Sequence, residues 1–207
     1  MLTLTWFGHA SFRLADGGAI VYIDPWKIRA APRDGTLVLV SHAHFDHFSP
    51  EDIARVAGPG SLLIAPPDVA AQAGGRALKA GETAEAVGVK VYGLPAYNIG
   101  KRYHPLASGW LGFVIELCGK RVYYAGDTDL IPEMGGLKNI DLAILPVGGT
   151  YTMTAEEAAK AVDVIKPAHA VPSHWGDIVG LRANADAFAA LAGKSAAVLT
   201  PGQHLEI

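Results

Sequence analysis

Apolar and polar residues alternate at the start of the chain. Leu2, Leu4 and Trp6 share one face of an extended segment; Ser11 to Leu14 and Ala19 to Ile23 follow, separated by the turn-forming Asp16-Gly17-Gly18. Side chains two apart on a strand point the same way, so this pattern predicts an antiparallel β opening. Thr36 to Val40 is short, apolar and β-branched, which predicts a buried strand. A helix should come next. Ser49 can cap it, Pro50 suits its first position, and Glu51 and Asp52 sit at the positive end of its dipole. Gly58 should end it, and Ser61 to Ala65 reads as another strand, broken by Pro66-Pro67.

Three more strands are expected at Val87 to Leu94, Trp110 to Leu117 and Arg121 to Ala125. The loop Pro95 to Gly109 between them is long and polar with interspersed aromatics, and such loops often carry function. Beyond it strands and helices alternate. Asp141 to Val147 reads as a strand, and Thr154-Ala155-Glu156-Glu157 as a capping box opening a helix that ends near Lys166-Pro167. Ala168 to Pro172 is a strand, Asn184 to Leu191 a helix closed by Gly193, and Ala196 to Leu199 a last strand. A strand-rich half followed by a mixed half implies two packed sheets with helices outside, in one domain over 1–207.

Half of the 207 residues are hydrophobic and 18% are charged. That is ample for a packed core. The net charge of -3 gives no electrostatic reason for a nucleic-acid or membrane partner. A phosphate-bearing substrate stays open, because a bound metal brings its own positive charge. The first residues lack the pattern of a signal peptide, and no apolar run reaches the ~18 residues of a spanning helix. One cysteine, Cys118, leaves no intrachain disulfide, which suits a reducing compartment; its place at the end of Gly112 to Cys118 predicts burial in the core. The expectation is a cytoplasmic protein acting on a small molecule.

The chemistry lies in His42-Ala43-His44-Phe45-Asp46-His47, where three of eight histidines fall within six positions. His42 and His44 lie two apart just past a strand and project to one side; Asp46 and His47 follow where the chain turns and can reach a second position. Imidazole and carboxylate together select zinc, iron or a similar ion over calcium. Two similar strand ends follow. Arg121 to Gly126 delivers Asp127, and Ala168 to Pro172 delivers His174. Ligands on strand-terminal loops over a rigid sheet are a common site design.

These motifs, in this order, resemble the metallo-β-lactamase superfamily of metal-dependent hydrolases. Trp6-Phe7-Gly8-His9-Ala10-Ser11 and Ile23-Asp24-Pro25 resemble the opening of the branch holding ascorbate-phosphate lactonase-like and N-acyl-phosphatidylethanolamine phospholipase-like proteins. The resemblance implies an α/β (α+β) fold, a four-layer αββα sandwich of two mixed β-sheets with the metal site at one edge. It implies His42 and His44 on a first metal, Asp46, His47 and His174 on a second, and Asp127 bridging both. The first metal should have a third ligand from the loop before the Gly-Asp-Thr strand, either His104 or Asn98. His9 is expected beside the site as a substrate or supporting contact, and Asp24 behind a ligating histidine. His169, His204 and the cations Lys101 and Arg102 read as structural or solvated, although the two cations could meet an anionic substrate.

The expected chemistry is two-metal hydrolysis. Two ions about 3.5–4 Å apart, zinc first and manganese or iron as alternatives, share a hydroxide, and Asp46 orients it. The substrate is a small ester, lactone, amide or phosphoester; a lactone or phosphorylated molecule leads by branch analogy. The alternatives are a diiron redox protein on the same fold and a phosphodiesterase or nuclease.

Overall fold

The computed structural model describes residues 1–207. Thirteen strands form two sheets. The first sheet holds β1 (Thr3–Gly8), β2 (Ser11–Ala15), β3 (Ile20–Ile23), β4 (Gly35–Leu39), β5 (Ala57–Ala65), β6 (Arg76–Ala77) and β13 (His204–Glu206), in the order β13-β1-β2-β3-β4-β5-β6. The second holds β7 (Thr83–Ala86), β8 (Val89–Pro95), β9 (Leu111–Leu117), β10 (Lys120–Tyr124), β11 (Leu142–Pro146) and β12 (His169–Ser173), in the order β12-β11-β10-β9-β8-β7. Both are mixed: β3 to β6 run parallel, as do β10 to β12, and the other pairs are antiparallel.

Period two explains the layers. Leu2, Leu4, Trp6, Phe12, Leu14, Leu37 and Leu39 bury one face of the first sheet in a core shared with Val91, Phe113, Ile115 and Val122 of the second. The opposite face of the first sheet offers Tyr22, Val38 and Val40 to α1 (Pro50–Val56) and α2 (Pro67–Ala73) in a smaller apolar cluster. Helices α3 (Ala155–Ile165) and α4 (Arg182–Ala192) cover the second sheet through the alanine-rich face Ala155, Ala158, Ala161 and the ring of Phe188. This is the expected αββα sandwich. No helix is long and apolar enough to cross a membrane.

The caps behave as their chemistry dictates. Ser49 Oγ accepts from Asp52 N at 3.2 Å with Pro50 at the first helical position, and Thr154 and Glu157 cap each other at α3. Helix α1 stops at Val56, and the chain passes directly into β5 before Gly58.

Four expectations change. Val87 and Cys118 are not strand residues: Val87-Gly88 and Cys118-Gly119 form the two-residue turns of the β7–β8 and β9–β10 hairpins, with positive φ at both positions of each. Cys118 is therefore exposed, not in the core. Ala196 to Leu199 makes one parallel bridge, Ala170 to Ala196, and then leaves. The Thr200–Gln203 turn carries the chain across to pair with β1 as β13. Helix α2, which the sequence pattern did not predict, opens at Pro67, with Pro66, the residue after β5, as its N-cap.

Candidate metal centre

Strands β1, β3, β4, β8, β10 and β12 all run the same way within their sheets, and the carboxyl end of each leads into the site. They deliver His9, Asp24, the His42–His47 loop, the Asn98–His104 loop, Asp127 and His174 respectively. Two groups of potential ligands result, His42, His44, His104 and Asp127 on one side and His9, Asp46, His47 and His174 on the other; all but His44 are buried.

In the first group His42 Nε2 lies 3.1 Å from His44 Nδ1, and His104 Nε2 lies 3.2 Å from both His44 Nδ1 and Asp127 Oδ2. His104, not Asn98, occupies the open corner. The Asn98 amide nitrogen is committed to Asp129 Oδ1 at 3.2 Å and Tyr151 O at 2.8 Å. Its oxygen accepts from His104 Nδ1 at 3.1 Å, which turns His104 Nε2 toward the cluster. The Trp110 ring packs on all three imidazoles of this group.

In the second group His9 Nε2 meets Asp46 Oδ2 at 2.9 Å, and His47 Nε2 and His174 Nε2 each stand 3.6 Å from that oxygen. Asp127 reaches both groups: Oδ1 is 3.4 Å from His47 Nε2, and Oδ2 is 3.0 Å from His174 Nε2. Asp24, fully buried, takes His47 Nδ1 at 2.7 Å, Tyr124 OH at 2.6 Å and Ser41 Oγ at 2.5 Å. Ser41 Oγ also meets His42 Nδ1 at 2.9 Å. With Nδ1 of His42, His47 and His104 engaged on oxygen acceptors, each Nε2 is left facing the cluster.

His42 and His44 are held below the ordinary imidazole range, by burial first and then by neighbouring histidines. Burial also pushes His47 and His174 down, but Asp127 with Asp24, and Asp127 with Asp46, outweigh it, so both end raised. Burial opposes ionisation of Asp127 too, yet His174 and His47 hold it well below the carboxylate range.

His47 Nε2 and His174 Nε2 are buried without an aligned hydrogen bond, although carboxylate oxygens lie within 3.4 Å of each. A buried orphaned imidazole nitrogen is costly, and a cation among these carboxylates would satisfy both. The residues present therefore fit a metal. A cleft with a cavity volume of about 210 Å³ opens onto the cluster. A larger groove, about 820 Å³, crosses the outer face of the first sheet and touches the site only at His9. Its Arg13 is paired with Asp34 and its Lys27 with Asp177, whereas the metal-ligating side chains line the cleft.

Lys101 is tied to Asp129 Oδ1 at 2.6 Å and Thr152 O at 2.7 Å. His169 stands at the start of β12, at the far end of that strand from His174, and His204 is exposed on β13, bonded to Thr5 at 2.8 Å. Asp129, Tyr124 and Ser41 support the site without having stood out in the sequence. Asp129 follows Gly126-Asp127-Thr128 directly, the one signal that could have marked it.

This fold with its histidine–carboxylate edge is that of the metal-dependent hydrolases built on the metallo-β-lactamase sandwich. The chain belongs to that family: residues 3–174 match the model described as a β-lactamase superfamily domain. It is 33% identical over 229 residues to a UPF0173 metal-dependent hydrolase of Pyrococcus abyssi, with all of both chains covered. Among solved structures it resembles a protein of Parabacteroides distasonis, with a TM-score of 0.82 and 32% identity over 95% of this chain and 92% of that one. It also resembles Igni18, a metallo hydrolase of Ignicoccus hospitalis, with a TM-score of 0.80 and 28% identity over 100% and 99% of the two chains. The protein is a metal-dependent hydrolase.

Proposed function

We propose a dinuclear zinc hydrolase acting on a small ester, lactone or amide. The observation that carries this reading is the pair of ligand groups meeting at one carboxylate, Asp127. His42, His44 and His104 would hold one ion, Asp46, His47 and His174 the other, and Asp127 would face both. Bound ions supply an acidified water and polarise the scissile carbonyl.

The chain's own residues do the rest. Asp46 takes a proton from the attacking water while the water oxygen bonds to the acyl carbon. The bond to the leaving group breaks, and Asp46 returns the proton to the leaving oxygen or nitrogen. His9 Nε2, 2.9 Å from Asp46 Oδ2, fixes that carboxylate. Asp24 and Asn98 fix His47 and His104. A cytoplasmic setting and a small-molecule substrate without nucleic acid accord with the net charge of -3 and the single cysteine.

The test is elemental analysis of the purified protein beside an ester, lactone and amide panel. Two zinc ions per chain, with turnover lost on chelation and restored by zinc, are expected. Two irons without hydrolysis, or no metal after reconstitution, would sink the reading.

A further inference from the structure

Two materials bound the cleft in front of the cluster. Its floor is the ligand set; its walls are Phe45, Tyr103, Tyr151, Ile178 and Val179. Phe45 is 68% exposed and Ile178 45%. Large apolar side chains thus stand open to water beside a polar centre. These walls are held in place. The Tyr103 and Tyr151 rings meet edge to face at 4.6 Å, and Phe45 lies against Trp26 at 6.1 Å. Both are favoured aromatic geometries. Ile178 and Val179 ride a loop closed by Gly176 N donating to Gly180 O at 3.0 Å. Gly180 has φ +69°, and a Cβ there would fall 2.9 Å from Trp175 Cβ. Only glycine meets both demands easily, so the loop sits tight on the tryptophan.

No lysine or arginine lines the cleft. Lys101 is spent on Asp129 and Thr152, and Lys27 is paired with Asp177 at 2.8 Å. The Arg102 guanidinium stays over the Tyr103 ring, 5.6 Å from its centre. An anionic arm on the substrate would find no cationic side chain on these walls, only the hydroxyls of Tyr103 and Tyr151. The cleft volume is about 210 Å³. Pockets for drug-sized ligands are larger, roughly 300–1,000 Å³.

Resting on the hydrolase reading above, we propose that the substrate is uncharged and carries a compact apolar group next to its scissile bond. That group, aromatic or branched aliphatic, seats between Phe45 and the Tyr103–Tyr151 pair, with Ile178 closing over it. Phosphorylated and dicarboxylate-derived substrates are disfavoured.

Calorimetric binding to the zinc-loaded protein separates the tail from the chemistry. Benzohydroxamate and succinate monohydroxamate share a metal-binding head and differ in tail. Benzohydroxamate should bind roughly tenfold tighter or more. Ile178→Lys, at an exposed position that tolerates a charge, should shrink or reverse that ratio. Leu191→Lys, exposed on α4, should leave it unchanged. Equal affinities, tighter binding of the succinate compound, or a ratio that Ile178→Lys does not move would each overturn the proposal. An apolar preference in binding with no turnover of any neutral ester, lactone or amide would retire the reading under Proposed function alone. Turnover that favours succinyl over isobutyryl p-nitrophenyl esters would retire this one alone.

Discussion

The two halves of the cluster are built from similar residues and prepared differently. In the half formed by His42, His44 and His104, burial and mutual repulsion leave His42 and His44 easy to deprotonate, and one carboxylate, Asp127, faces all three. In the half formed by His9, Asp46, His47 and His174, carboxylates raise the pKa of His47 and His174, while burial lowers that of His9. An ion entering the first half finds free lone pairs. An ion entering the second competes with protons once the pH falls below those raised values, though it then gains a richer negative field. Similar ligand counts thus conceal unequal sites, and the inequality follows the carboxylates: Asp127 with Asp24 beside His47, and Asp127 with Asp46 beside His174.

Asp127 is where the halves meet, so its loss should have the largest effect. Asp127→Ala is expected to abolish hydrolysis and to leave fewer than one tightly held ion per chain by elemental analysis. Retention of two ions would show that the halves are independent and break the comparison at its centre. Asp46→Ala should come next. Turnover should fall about 10²–10⁴-fold, the usual worth of a positioned proton acceptor, with the domain still folded by circular dichroism. Near-normal turnover would remove Asp46 from the mechanism.

How much of this was legible in the sequence depended on distance along the chain. The His42–His47 loop was readable because its donors lie within six positions. Asp127 and His174 were readable because each follows a short strand-like run, Arg121 to Gly126 and Ala168 to Pro172. The choice between Asn98 and His104 was not, because it turns on where the Asn98 amide goes, and its partners Asp129 and Tyr151 lie 31 and 53 residues away. Cys118 was misplaced because the apolar run continues to the residue before Gly119; the glycine marked a hairpin turn that outweighed the run. The short strands β6, β7 and β13 hold two, four and three residues, too few for a pattern to stand out, and exist through pairing, as Thr5 with His204 shows. The αββα layering was legible because β1 and β2 alternate polar and apolar residues while β11 is a short continuous apolar run, buried at every position.

The supporting residues sharpen the comparison by separating the halves. Asp24→Asn keeps the shape but weakens the acceptor for His47 Nδ1, and should lower zinc affinity of the second half about 10–100-fold, with a smaller loss in the first, which Asp24 reaches only through Ser41 Oγ and His42 Nδ1. Asn98→Ala should do the reverse, loosening His104. Competition with a chromophoric chelator, titrated to resolve two binding steps, reads both. If each variant weakens both steps equally, the halves share one support and the contrast drawn from Asp24 and Asn98 fails.

Acidity should separate the halves more gently. His47 and His174 have raised pKa values in the metal-free chain, so below those values each must lose a proton before it can ligate. Affinity of the second half should therefore fall as pH drops, by about tenfold per pH unit for each proton displaced. His42 and His44 have lowered pKa values and are already neutral near pH 7, so affinity of the first half should fall less steeply with acid than that of the second. Protein equilibrated with limiting zinc at pH 8, 7 and 6 should thus pass from two ions per chain toward one, with the survivor among His42, His44 and His104. Cobalt substitution reports which half is filled through its visible spectrum, with Asn98→Ala and Asp24→Asn as references. Simultaneous release of both ions would mean that Asp127 couples the halves more strongly than their separate protonation divides them.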